Sequence, residues 1–433
     1  MVRHHGRTRG STSVLALALV ACASLASCSR DVTSSTPGPN PRSGPSAVRL
    51  VPWANESASL AALGWAPGIR SADLLVTRTN DSTVQRFKSD ERGAVALPAL
   101  AAGTYVIQAT RWLAGDERTH LARDDDLLGF VGIDTVKIAA RGDTVVARIG
   151  AVRRGSIVIS EIQNLADIGC TLCPYEYAYF LKLYNNSDQP VYLDHLAIGM
   201  YEIPQVSVPA VYGCHDTARW TLDSAGVWAR DYWEFPGSGT DYPVAPGRSV
   251  VVAEDAIDHT KFDPRGPDLS HADFETPGPA KASNPAVPQM IRHCTECRDL
   301  VGHGLRFYGA GQGFFVSRPL RLDTLHKQAV TIPPFWTDMR IDRGAILDHA
   351  ESRDDGSDEY WMARGLQACE PFGNPWFDRS PARLFREVGE FGLTMQRRRL
   401  DAGSRFPPGI LQRTSNSAYD FMKAPLTVGT SQR

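Results

Sequence analysis

The chain has 433 residues, 42% of them hydrophobic, and a formal net charge of −2 at pH 7. That length exceeds one ordinary core and fits two globular domains behind an exported leader. The near-neutral charge excludes a surface built for nucleic acid, and equally one held to anionic lipid by charge, because either partner selects a strong basic excess.

Arg3, Arg7 and Arg9 precede an apolar run from Val14 to Leu25, too short to span a bilayer as a stable helix and of the length of a signal-peptide core. The run ends in Leu25-Ala26-Ser27-Cys28. This resembles the lipobox of bacterial lipoproteins, in which small residues fit the lipoprotein signal peptidase and the thiol receives diacylglycerol. Leu19-Val20-Ala21-Cys22 is a second match, but cleavage there leaves an apolar run of about eight residues, at the short end for such a leader. Residues 1–28 therefore read as a lipoprotein signal peptide, with Cys28 as the acylated residue and Cys22 as the alternative. The expected place is the bacterial cell envelope, with the bilayer reached through the acylated cysteine. Ser29, rather than Asp, follows Cys28, which fits passage to the outer membrane. No other segment approaches ~20 apolar residues, so the anchor is lipid.

Residues 29–46 are Ser, Thr, Pro, Gly and Asn with almost no large apolar side chain, which predicts a disordered tether. From 47 to 152 short strands alternate with turn chemistry. Ser71 to Arg78 and Thr83 to Lys88 are candidate strands, Asp90-Glu91-Arg92-Gly93 a turn before Ala94 to Leu97. In Gly103 to Ala109, Tyr105, Ile107 and Ala109 share one face at the two-residue period of a half-buried strand. Asp134 to Ile138 and Asp143 to Ile149 complete the set. The stretch "VQRFKSDERGAVALPALAAGTYVIQATR" resembles the carboxypeptidase-regulatory, transthyretin-like β-sandwich, whose recurring "Leu-x-x-Gly-x-Tyr-x-Val" corner falls on Leu100, Gly103 and Tyr105, with Ile107 at the last position. The resemblance implies a non-catalytic module.

A second β-rich unit is expected over 155–433, with long loop insertions. Ser156 to Ile162, Tyr179 to Tyr184 and Val191 to Ile198 read as strands, with a turn at Asn185-Asn186-Ser187-Asp188, and Val244 to Ala253 reads as a Pro246-Gly247 turn feeding a buried strand. The order "VISEI … YFLKLYNNSDQPVYLDHLAIG … VAPGRSVVVAEDAIDH" is similar to the lamin-tail type of immunoglobulin-like sandwich. With "DLSHADFE", "AILDHAE" and "QRTSNSAYDF" added, the chain resembles an uncharacterised family of bacterial lipoproteins in which a transthyretin-like domain precedes a lamin-tail-like one. Lys182 stands where lamin-tail strands usually carry Glu. The expected fold class is all-β, two immunoglobulin-like β-sandwich domains.

With Cys28 acylated, six cysteines remain: Cys170, Cys173, Cys214, Cys294, Cys297 and Cys369. An even count in an exported protein favours disulfides, and Cys214 and Cys369 are read that way. Cys170-Thr171-Leu172-Cys173 and Cys294-Thr295-Glu296-Cys297 are two CxxC knuckles, which can also set four thiolates around a structural zinc. That zinc is the one cofactor considered, and redox work is a third use of the pairs. Between Met200 and Tyr242 lies an aromatic insertion. Trp220, Trp228, Trp233 and Tyr232 are its candidate partner-binding residues, since long loops on a rigid sandwich carry recognition. The competing use is packing as a secondary core. No HExxH and no GxSxG occurs. Asp348-His349 beside Glu351 is the best general-base candidate, although on one strand Asp348 and His349 face opposite sides.

The favoured reading is a non-enzymatic envelope lipoprotein that serves as a binding or scaffold module. Its partner is an envelope protein or an extracellular ligand, and it is a candidate accessory of an outer-membrane uptake receptor. The alternative is a metal-dependent envelope hydrolase using the cysteine knuckles or the acidic turn Asp354 to Glu359.

Overall fold

A computed structural model describes residues 45–52, 56–65, 68–80, 82–98, 100–122, 126–139, 142–163, 178–202, 208–209, 223–262, 266–276, 284–295, 312–330, 336–354, 366–367, 382–384, 393–400, 406 and 409–428. The signal peptide and all but the end of the tether lie outside these residues. So do Asp355 to Glu359 of the acidic turn and Cys22, Cys28, Cys170, Cys173, Cys214, Cys297 and Cys369. The described residues belong to one compact unit, and their regular structure is nearly all strand with a few short helices, an all-β sandwich-type fold.

The N-terminal part is a seven-stranded sheet in the order Val84–Lys88, Asp73–Arg78, Gly103–Trp112, Leu127–Ile138, Thr144–Arg153, Ser46–Pro52, Ala94–Leu97. Thr144–Arg153 is shared between two halves. Its residues 144–149 run parallel to 47–52, while residues 150–153 pair antiparallel with Leu127 to Val131. The sheet therefore turns at this strand, and both halves bury side chains in one core. Val48, Leu50 and Leu97 come from one side and Leu74, Val76, Ile107 and Phe130 from the other.

The alternation read in Gly103–Trp112 holds: Tyr105, Ile107 and Ala109 are at most 2% exposed. The Leu-x-x-Gly-x-Tyr corner closes because the Tyr105 hydroxyl donates to Ala101 O at 2.9 Å, which ties the strand to the loop before it. Gly93 adopts φ +72°, and a Cβ there would stand 2.6 Å from Ile69 N. Asp90 Oδ1 accepts from Arg92 N and Ala94 N, each at 2.8 Å, completing the turn.

Beyond Gly155 the chain builds three layers. The first sheet, sheet I, orders Phe274–Glu275, Ser249–Ala253, Phe180–Asn185, Ile157–Gln163, Leu393–Arg397, Phe421–Pro425. The second, sheet II, orders Ile291–Cys294, Asp231–Glu234, Ala197–Glu202, Gln312–Ser317, Ile346–Asp354, Ala382–Leu384. Ile157, Ile159, Leu181 and Leu183 of sheet I share a core with Ile198, Trp233, Phe314 and Val316 of sheet II. A third sheet of Gly226–Ala229, Trp336–Asp342 and His326–Val330 covers the outer face of sheet II through Tyr201, Tyr232, Phe315, Met339 and Ile341. Full burial of each large apolar side chain contributes about 1.5–3 kcal/mol.

One expected strand is interrupted. Val191 to Ile198 divides into Val191–Tyr192 and Ala197–Glu202, because Asp194 collects the N–H groups of Gly239, Asp241 and Tyr242 at 2.8–2.9 Å and His195 takes φ +63°. Burial works against the Asp194 charge, yet the N–H groups of Asp241, Tyr242 and Gly239 hold its carboxyl below the usual range. The expected Pro246-Gly247 turn forms and feeds the strand Ser249–Ala253; Gly247 has φ +74° and its N–H donates to Asn185 O at 2.9 Å.

Across the interior of the two large sheets runs a buried ion pair. Arg397 on sheet I and Asp348 on sheet II are each 1% exposed, with Nη2 to Oδ2 at 2.6 Å. Asp348 Oδ2 also accepts from Ile159 N at 2.8 Å, and Oδ1 accepts from Arg413 Nε at 2.9 Å. Arg397 donates through Nε to Ile159 O, through Nη1 to Gln412 O and through Nη2 to His349 O. Asp420 lies 3.5 Å from its Nη1, and the Phe421 ring sits 4.4 Å from its guanidinium carbon.

Removing one partner leaves the other charged and buried, at a cost of about 3–5 kcal/mol. Asp348→Ala should therefore lower the unfolding free energy by that amount, read as a shift of the guanidinium midpoint.

Asp420 gives a pH signature. Burial raises its carboxyl above the usual range, against the pull of Arg397 and hydrogen bonds from Thr414 and Gln412. The fold thus holds this proton more firmly than the unfolded chain, a contribution present below the ordinary value of 3.8 and lost as pH rises through the folded value. Relative to wild type, Asp420→Asn should gain stability as the pH rises above the ordinary carboxyl value, read in parallel denaturation curves.

Candidate functional site

The aromatic candidates are not at a binding surface. Trp228, Trp233 and Tyr232 are 4%, 1% and 0% exposed and stand on strands Gly226–Ala229 and Asp231–Glu234, where a loop was expected. Trp233 fills the core between the large sheets and Tyr232 the core under the third sheet. Burial pushes the Tyr232 phenol up to about 12, with Glu234 and Asp323 adding to it. These side chains cannot meet a partner without unfolding, so the partner-binding assignment is corrected to core packing. Trp220 lies outside the described residues.

Cys294 is disulfide-bonded, to a sulfur outside the described residues, and so is not a thiolate ligand in this state. Among the described residues no three His, Cys, Asp or Glu side chains are placed to hold a metal ion. Asp348 and His349 face opposite sides as the strand period requires. Asp348 is committed to Arg397 and Arg413, which removes it as a general base.

What the structure brings together instead is a polar groove of about 920 Å³ on the outer face of sheet I. Its origin is a β-bulge. Between Ile159 and Glu161 the ladder shifts, so that Ile159 faces Leu183 while Glu161 faces Lys182. With two bulged residues against one, Ile157, Ile159 and Ile162 all reach the core, and Ser160 and Glu161 line the groove. The break in the two-residue period, Ile157-Val158-Ile159-Ser160-Glu161-Ile162, was the available signal for this site.

Glu161, 2% exposed, forms the floor. Lys182 Nζ lies 3.6 Å from its Oε2 and donates to Thr427 Oγ1 at 2.8 Å. Thr394 Oγ1 and Thr427 N donate to Glu161 Oε1 at 2.9 and 3.1 Å, and the Thr427 hydroxyl donates to Oε2. Lys182, noted above as a departure from the lamin-tail pattern, is thus the cross-strand countercharge of Glu161.

The Pro246-Gly247 turn places Arg248 on the rim, and Arg399, His271, Asp268 and Asp273 complete it. Asp268 Oδ1 accepts from Ser270, and Asp273 Oδ2 from Val251 N at 2.8 Å. Partial removal from water raises the Asp273 carboxyl despite that bond. Among the described residues, no side-chain hydrogen bond or ion pair engages Arg248, Arg399 or His271. A second polar cluster that the sequence did not signal joins three strands or their flanks. Glu234 Oε1 and Oε2 lie 2.8 Å from His195 Nδ1 and His293 Nε2 respectively, and His293 stacks on Tyr232 at 4.7 Å.

A groove on one face of a layered all-β sandwich defines the class of protein. No family model matches the chain, and neither does any curated protein. Among solved structures, the chain is similar to a DUF4876 family protein from Bacteroides thetaiotaomicron VPI-5482, with 16% identity, a TM-score of 0.47, and coverage of 87% of this chain and 94% of that one. A DUF3823 family protein from Bacteroides ovatus ATCC 8483 matches at 12% identity and a TM-score of 0.14, over 48% of this chain and 98% of that one. A putative carbohydrate binding protein from Bacteroides uniformis ATCC 8492 matches at 10% identity and a TM-score of 0.14, over 49% of this chain and 99% of that one. Among the described residues no helix is long and apolar enough to cross a membrane.

Lys182→Met removes the countercharge and one donor from the groove floor while the Thr394 and Thr427 bonds remain. The expected loss is about 1–3 kcal/mol, measured by chemical denaturation. Thr427→Val, which removes one hydroxyl from Glu161, should cost less.

Proposed function

We propose that the chain is a lipid-anchored envelope protein whose β-layers serve as a non-enzymatic binding or scaffold module, with the sheet I groove as its ligand-facing surface. One observation carries this reading: a groove whose floor charges are internally paired, while Arg248, Arg399 and His271 on its rim are uncommitted. A side chain that the fold does not use is free to exchange its water for a ligand at little cost to stability. The leader ending at Cys28 supports attachment at the outer membrane, and residues 29–46 provide the reach. The transthyretin-like and lamin-tail-like resemblances favour a module that docks an envelope partner, with an outer-membrane uptake receptor as the candidate. The disulfide at Cys294 agrees with an oxidising compartment.

Labelled palmitate should enter the full-length protein in cells and fail to enter Cys28→Ala. Incorporation that persists in Cys28→Ala but not in Cys22→Ala moves the anchor, and an unprocessed cytosolic product without label refutes the placement.

A further inference from the structure

We infer that the sheet I groove binds an acidic oligosaccharide, with its anionic group held between Arg248 and Arg399. This rests on the reading of the groove as the ligand-facing surface and names the chemistry it selects.

The cationic end is built around one phenol. Tyr184 Oη donates to Gly409 O at 2.8 Å. A Cβ placed on Gly409 would stand 3.2 Å from that oxygen and 3.8 Å from Arg399 Nη1, and one on Gly247, beside Arg248, would stand 3.6 Å from the same oxygen. The segments that carry the two arginines therefore converge on Tyr184. Arg248 and Arg399 both line the groove, and neither side chain has an ion pair among the described residues. A planar guanidinium fork matches a carboxylate or a sulfate, each of which accepts paired N–H donors, and this end of the groove carries two arginines.

The remainder of the groove suits a hydroxyl-rich ligand. Ser160, Ser249, Gln396 and Asp273 line it, a mixture of donors and acceptors in which each sugar hydroxyl can play either part. The volume of about 920 Å³ stands near the top of the range of about 300–1,000 Å³ for small-ligand sites. An extended acidic peptide fits less well, because peptides add to a free sheet edge or seat apolar anchors. Ser249–Ala253 is paired on both sides, by Phe180–Asn185 and Phe274–Glu275. Ile157–Gln163 is likewise paired by Phe180–Asn185 and Leu393–Arg397.

The test is calorimetric titration of the full-length protein in detergent with oligogalacturonate, a sulfated oligosaccharide, a neutral oligosaccharide and oligoglutamate of matched length. The expected result is binding of one or both acidic sugars, weakened at least tenfold in Arg248→Ala/Arg399→Ala and weakened by added salt. Arg86→Ala, an exposed arginine on the N-terminal sheet, should bind as wild type does. Preference for the uronate or the sulfated sugar identifies the source of the anion. Equal binding of the neutral sugar, an unchanged double variant of intact fold, or no binding of either acidic sugar overturns the proposal. Oligoglutamate binding that depends on the same arginines also overturns it, while leaving the groove as a ligand surface. Loss of palmitate labelling in the wild type bears on the anchor alone.

Discussion

The Asp348–Arg397 pair is the constraint on which the C-terminal layers depend. Its desolvation is costly, so it persists only because every donor of Arg397 and both oxygens of Asp348 have partners. Two of those partners are the N–H and C=O of Ile159, the residue where the ladder to Phe180–Asn185 shifts. A bulge leaves backbone groups unpaired, and here the ion pair satisfies them. The pair thus fixes the spacing of sheets I and II and stabilises the bulge in the same contacts.

The groove follows from that bulge. Once the ladder shifts after Ile159, the next two side chains leave the core, and Glu161 meets Lys182 on the outer face. The floor is then locked by Thr394 and by Thr427 from the C-terminal segment. The rim arginines, in contrast, stand on a turn and just beyond a strand end, where the fold asks nothing of them. Separation of a rigid, internally paired floor from uncommitted rim cations is the arrangement expected of a preorganised recognition surface.

The third sheet accounts for the aromatic wealth of residues 226–235. A sheet in a two-layer sandwich buries one face, but sheet II is covered on both, so its strands carry large apolar side chains on consecutive positions, as in Tyr232 and Trp233. The N-terminal sheet meets the layers beyond Gly155 through a smaller contact, where Trp112, Leu128, Val131 and Val152 pack with Ile410 and Asp126 Oδ2 accepts from Gly155 N at 2.6 Å. That contact joins the two cores into one unit.

Much of the strand content was legible from local chemistry. Alternation marked Gly103–Trp112, turn residues marked Asp90 to Gly93 and Pro246-Gly247, and β-branched runs marked Ile157–Gln163, because side-chain period and backbone preference are properties of neighbouring residues. The expectation of a lipid-anchored leader also comes from the sequence alone. Tertiary structure decided the rest. Whether Trp228 and Trp233 face water or a second layer depends on strands more than 80 residues away, such as Trp336–Asp342, and composition holds no record of that pairing. Asp348 looks the same in sequence whether it serves as a base or as half of an ion pair. Only the approach of Arg397, 49 residues along the chain, committed it to structure, and the sheet I groove is likewise encoded by no contiguous motif.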